Sequence, residues 1–248
     1  MGIKHPTYPF PTIKEALCEI HFGLREGETW RSAIFGEFFN AVQADFPEME
    51  PVQQYGFQLL AGPTAFEHKV IPPRQMVRYT HKDRKLLMQL AEGTLTVNIL
   101  PVYEGWQTMQ KSVLDAWGRV MEVIRPSIVR RIGLRYIDFI PRERPEETPG
   151  DWLRESEYLP KAVLRSLTGF LSRTEMKMDP ETRLVVALGE AEDQPPAVVL
   201  DVDCIVEKQM GTDTDSIARE TQRLHDLESE VFFASLTPRL ERKLKGEV

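Results

Sequence analysis

Ile13-Lys14-Glu15-Ala16-Leu17-Cys18-Glu19-Ile20-His21-Phe22-Gly23-Leu24 alternates along its length: Ala16, Cys18, Ile20, Phe22 and Leu24 fall on one side, Glu15, Glu19 and His21 on the other. Successive side chains of a strand point to opposite faces, so the pattern predicts a half-buried strand. A second such stretch begins at Ile128, with Ile132, Leu134, Tyr136 and Ile140 on one side and Arg131, Gly133, Arg135, Ile137 and Phe139 on the other. Working outward, each strand is followed by a helix, a run of strands and a long closing helix. An element order repeated at roughly 115 residues is the signature of an internal duplication.

In the first half, Trp30, Ile34, Phe35, Phe38, Phe39 and Val42 recur at helical spacing up to Pro47. Strands are expected at Tyr55 to Ala61, Gln75 to His81, Lys85 to Leu90 and Thr94 to Val102, separated by turn-like Gly62-Pro63, Pro72-Pro73, Lys82-Asp83-Arg84 and Glu92-Gly93. Trp106 to Ile124 reads as an amphipathic helix stopped by Pro126. In the second half, Arg142 to Gly150 reads as an exposed, mobile loop. Asp151 caps a helix expected to reach Leu167, with Pro160 interrupting or kinking it. Strands follow at Phe170 to Met178, Arg183 to Gly189 and Ala197 to Glu207, then a helix over Asp213 to Ala234 and a short polar tail from Thr237-Pro238.

The expected fold is α+β: one domain of two pseudo-repeats, about 10–125 and 126–248, building a curved antiparallel sheet with helices on one face. Its element order resembles the duplicated fold of the TATA-box-binding protein. A helix-grip arrangement around one long helix is the alternative.

The segments Pro9 to Phe22 and Arg131 to Asp138 resemble the opening and central motifs of a sporadically distributed family of bacterial proteins of similar size. Leu224-His225-Asp226 and Phe233 to Pro238 suit its closing pattern, and Phe10 stands where that family more often has proline. The resemblance spans nearly the whole chain and implies no activity, so it transfers no catalytic residues.

With 42% hydrophobic residues the 248-residue chain can bury a sizeable core, and its 31 basic against 38 acidic side chains give a net charge of -7. That balance argues against nonspecific attraction to phosphate backbones over the whole surface. Cys18 and Cys204, each in an apolar strand, read as buried thiols of a reducing compartment. No run approaches the length of a membrane span, and a cytoplasmic location is expected.

Glu15 and Glu19 on one opening strand oppose Arg131 and Arg135 on the other, which predicts cross-strand ion pairs if the strands are neighbours. The competing reading is an anion-binding face built on Arg131, Gly133 and Arg135. Asp201 and Asp203, with Glu19 and His21, form a weak metal-type constellation, ordinarily a salt-bridging strand face. Thr94, Thr96 and Asn98 read as exposed polar residues of a partner-facing sheet, and Trp30, Trp106, Trp117 and Trp152 as helix packing. The basic residues Arg239, Arg242, Lys243 and Lys245 read as solvated. Nucleophile elbow, phosphate loop and zinc spacing are all missing from the sequence. The expectation is a non-enzymatic binding module without metal or cofactor, docking a protein, a nucleic acid or a second copy of itself and no membrane. Its binding residues are Glu15, Glu19, His21, Arg131, Arg135, Asp201 and Asp203; a metal- or anion-dependent hydrolase-like enzyme and a small-ligand binder are the alternatives.

Overall fold

The computed structural model describes residues 8–61, 66–191 and 196–247, with 53–61 and 66–74 described by backbone alone. The chain is α+β, with one nine-stranded antiparallel sheet and helices packed on it. In chain order the strands are β1 (Ile13–Gly23), β2 (Glu48–Ala61), β3 (Phe66–Thr80), β4 (Leu86–Ala91), β5 (Thr94–Ile99), β6 (Ile128–Pro141), β7 (Leu171–Lys177), β8 (Thr182–Ala191) and β9 (Ala197–Met210). The helices are α1 (Ala33–Val42), α2 (Trp106–Val123), α3 (Lys161–Leu164), α4 (Thr214–Ser235) and α5 (Pro238–Lys245).

Across the sheet the order is β2-β3-β4-β5-β1-β6-β9-β8-β7. The two alternating stretches are thus adjacent at its centre, antiparallel, with Ala16 opposite Tyr136, Cys18 opposite Leu134 and Ile20 opposite Ile132. Period-two alternation sends Ala16, Cys18, Ile20 and Phe22 to one face with Ile132, Leu134, Tyr136 and Ile140, all buried. There they join Trp117 and Val120 of α2 and Ile217, Leu224 and Val231 of α4 in one hydrophobic core. Phe22 meets Trp117 edge to face, 5.9 Å between ring centroids. Cys18 and Cys204 flank Leu134 in register and are free thiols. Burial pushes the Cys18 thiol up to about 12, which leaves it unreactive at neutral pH.

Local chemistry redraws several expected boundaries. Pro72 and Pro73 do not separate strands; they lie inside β3, which pairs with β2 from Ala61–Phe66 to Glu48–Thr80 around an irregularity at Gln54/Gly56. The expected turn at Gly62-Pro63 falls outside the described residues. The helix expected over Asp151 to Leu167 is replaced by a 3₁₀ turn at Pro149–Asp151 and the four residues of α3. Thr148 and Asp151 close a capping box on that turn, and Pro160, which lacks an N–H, sits at the N-cap of α3. The loop from Arg142 is anchored rather than free. Glu147 within it is 1% exposed and ion-paired to Arg144 and Arg239, while Arg142 pairs with Glu190.

The polar tail is a helix. The Thr237 hydroxyl accepts from the Leu240 N–H, Pro238 occupies the first turn, and α5 buries Leu240 and Leu244. Arg239 and Lys243 are correspondingly not free solvated charges: both pair with Glu143 and lie over the Trp152 ring, at 3.9 Å and 5.1 Å. Among the described residues, no helix is long and apolar enough to cross a membrane.

Candidate functional site

The residues singled out from sequence share the face of the sheet opposite the core. β1 contributes Glu15, Glu19 and His21, β6 contributes Arg131 and Arg135, and β9 contributes Asp201 and Asp203. Glu19 lies opposite Gly133, and the Arg131 guanidinium spreads over that glycine to reach it; a Cβ at Gly133 would meet Arg131 atoms at 3.4–3.8 Å. Arg131 donates to the Glu19 carboxylate, which also contacts His21 Nε2 at 2.6 Å. Burial acts to raise the Glu19 pKa, but the hydrogen bond from His21 and the Arg131 charge outweigh it and hold the carboxyl at about 2. The bare backbone at Gly133 is therefore taken by the protein's own arginine.

Arg135 does not pair with Glu15 or Glu19, contrary to the cross-strand expectation. It forks onto Asp201, Nε to Oδ1 at 2.7 Å and an Nη to Oδ2 at 2.6 Å. β9 flanks β6 on its other side, so its carboxylate reaches the guanidinium edge-on in a bidentate pair. Asp203 is directly opposite Arg135 in register, and burial lifts its carboxyl to about 6 against the opposing pull of Arg131 and Arg135. Glu15 accepts from the Asn98 amide at 2.5 Å, and Asn98 in turn accepts from Gln89. These neighbours close over Asn98, which is buried, as is Thr94; only Thr96 keeps partial exposure, so the exposed polar row expected on β5 is mostly covered.

Sequence reasoning missed a second cluster, on the opposite face of β6. Tyr136 and Asp138 point under α4, where Glu228, His225 and Ser229 face them across a cavity of about 120 Å³. Asp138 is 1% and Glu228 5% exposed. Thr12 donates to Asp138 at 2.7 Å, and the Tyr103 and Tyr136 hydroxyls lie 3.0 Å apart. Trp106, the first residue of α2, stacks on the His225 ring at 4.2 Å and donates its indole N–H to Gln222. His225 Nδ1 lies 3.4 Å from the Tyr136 hydroxyl and 3.9 Å from Glu228. Burial lifts Asp138 to about 7, partly offset by the Thr12 hydrogen bond, and burial together with the nearby Asp138 drives Glu228 well above the carboxylate range. The sequence does carry the signal. Asp138 occupies a core-facing register position in β6, and Glu228 lies in the buried stripe Ile217, Thr221, Leu224, Glu228, Val231, Ser235 of α4.

No protein-family model matches the chain, and no curated protein matches it. Among solved structures, the crystal structure of the di-domain ARO/CYC StfQ from the steffimycin biosynthetic pathway is similar over 94% of this chain and 98% of that one, at 10% identity and a TM-score of 0.20.

Proposed function

We propose that the chain is a non-enzymatic docking module that presents the charged face of its sheet, centred on β1, β6 and β9, to a protein partner. One observation carries the choice of a protein over a nucleic acid. Five arginines of this face, Arg78, Arg131, Arg135, Arg173 and Arg183, each already hold a carboxylate. A phosphate backbone would have to displace those carboxylates, whereas a protein surface of mixed charge can complement the pattern. The same pairing draws Asp201 into an ion pair with Arg135, which speaks against the metal-dependent alternative.

The reading includes an internal duplication of the kind seen in the TATA-box-binding protein. Its support is the strand order, which runs outward from the β1–β6 pair through β5-β4-β3-β2 on one side and β9-β8-β7 on the other. In this view the second copy has one strand fewer, and its first helix is reduced to α3.

The test is a photo-crosslinking amino acid placed at Leu17 or Thr96 on this face, or at exposed Lys111 of α2 as a control, in the native host. The expected result is one discrete polypeptide adduct from both face positions and none from Lys111. Nucleic-acid adducts, or no adduct specific to the face, would overturn the reading.

A further inference from the structure

The geometry points to a ligand site on the other side of the sheet: the cavity between β6 and α4 receives the ammonium head of a small organic amine, held by Asp138, Glu228 and the surrounding aromatic rings. Three features carry this. The first is space, since about 120 Å³ is close to the roughly 150 Å³ of an engineered cavity that admits benzene. It therefore suits a compact head group.

The second feature is charge. Asp138 comes from β6 and Glu228 from α4, and both are almost wholly enclosed, yet among the described residues neither lysine nor arginine lines the cavity. Among the described lining residues, His225, with Nδ1 3.9 Å from Glu228, is the one able to carry positive charge. Enclosed carboxyls facing each other without a cation are driven to keep their protons, and a bound cation reverses that preference. An anionic ligand would oppose that ionisation, and a purely apolar one would offer it no counter-charge.

The third feature is the wall. Tyr8, Tyr103, Trp106, Tyr136, Phe232 and Phe233 contribute rings. Aromatic faces beside carboxylates are the surroundings that recognise alkylated ammonium groups, because the ring quadrupole attracts the positive charge once water is excluded. The open face described above has paired charges and no such enclosure, so the two sites are independent.

Binding of the amine must then release protons. The groups facing the head are Asp138 and Tyr136 from β6, Tyr103 from the loop before α2 and Trp106 from its first turn, His225, Glu228 and Ser229 from α4, and Tyr8 and Thr12 from the segment before β1. Asp201, on the far face of β9, adds its charge to the field at Asp138. Of these, burial raises Asp138 to about 7.

Calorimetry with choline and with its neutral carbon isostere 3,3-dimethylbutan-1-ol is the test. Choline is expected to bind at least about tenfold more tightly than the isostere, because only it carries the charge. Its affinity should rise about tenfold between roughly pH 6 and pH 8, and heats in buffers of different ionisation enthalpy should show net proton release. Asp138→Asn and Glu228→Gln should each weaken choline by about tenfold or more with unchanged circular dichroism. The proposal is overturned if the isostere binds as well as choline, if either folded variant keeps full affinity, or if choline, putrescine and tetramethylammonium all fail to bind. Should a variant not fold, the proton release and the isostere ratio of the parent protein still decide the matter.

Discussion

The two faces of β6 treat charge in opposite ways. On one, Arg131 and Arg135 hold Glu19 and Asp201, and the charges persist because each has a counter-charge and some water. On the other, three to seven residues along the same strand, Asp138 is sealed under α4 beside a hydroxyl from Thr12 and the neighbouring Glu228 carboxyl, and burial favours its neutral form. The lesson is that a carboxylate's behaviour here is set by which face its register assigns it to. Pairing maintains charge on the polar face. Enclosure suppresses it on the core face.

The largest expected effect breaks the enclosed side of this comparison. Asp138 has its folded pKa raised to about 7 from 3.8, so the folded protein keeps a proton that the unfolded chain has lost over that interval. The cost is absent below about pH 4, grows between about pH 4 and 7, and is constant above, where it is of the order of 4 kcal/mol. Asp138→Asn removes the ionisation while keeping an acceptor for Thr12. Urea unfolding near pH 8 should show the variant more stable than the parent by several kcal/mol, of that order, with the two converging near pH 4. Equal midpoints near pH 8 would mean the carboxyl is not sealed.

The paired side is probed by Glu19→Gln, with the opposite sign. Here the folded pKa is depressed to about 2 from 4.5, so the stabilisation is fully present above about pH 4.5 and is lost as pH falls through 2. Because Glu19 keeps about a third of its side-chain exposure, solvent screening reduces the benefit, and the variant should lose ~1–2 kcal/mol near pH 7. The gap to the parent, measured by urea titration, should close between about pH 4.5 and 2.

How much of this was legible beforehand follows from the same contrast. Alternation in Ile13 to Leu24 and Ile128 to Ile140 has a period of two, and a period identifies strands and their buried sides, so the centre of the sheet could be read directly. The polar residues gathered there could be read as well, because their opposite signs make pairing the default. Which arginine takes which carboxylate could not. That depends on β9 flanking β6, a long-range fact with no local signature, and it diverted Arg135 from Glu19 to Asp201. Asp138 and Glu228 stood in plain view on apolar stripes, but a lone carboxyl at a core position gains meaning only when a second one faces it from an element ninety residues away. The helix expected from Asp151 failed for a local reason: its propensity lost to Pro160 and to the burial of Trp152 and Leu153 beside the end of α4.

The smallest effect sharpens the comparison most, because it asks whether pairing on the polar face is as specific as its geometry. Arg135 and Asp201 meet through two parallel bonds of 2.7 Å and 2.6 Å, yet the Arg135 side chain is 40% exposed. Bidentate geometry strengthens the pair, and water weakens it. A double-mutant cycle with Arg135→Ala and Asp201→Ala should return a coupling of ~0.5–1 kcal/mol. The parallel cycle of Arg135→Ala with Glu19→Ala should return about zero within error, since Arg131 occupies Glu19. Removing Arg135 should also move Asp203 further above its value of about 6, because one of the two positive charges that oppose its burial is gone. An NMR titration of the Asp203 carboxyl reads that shift directly. A downward move, or equal coupling of Arg135 to both carboxylates, would mean that the charges of the polar face exchange partners, and that the two faces of β6 differ in hydration alone.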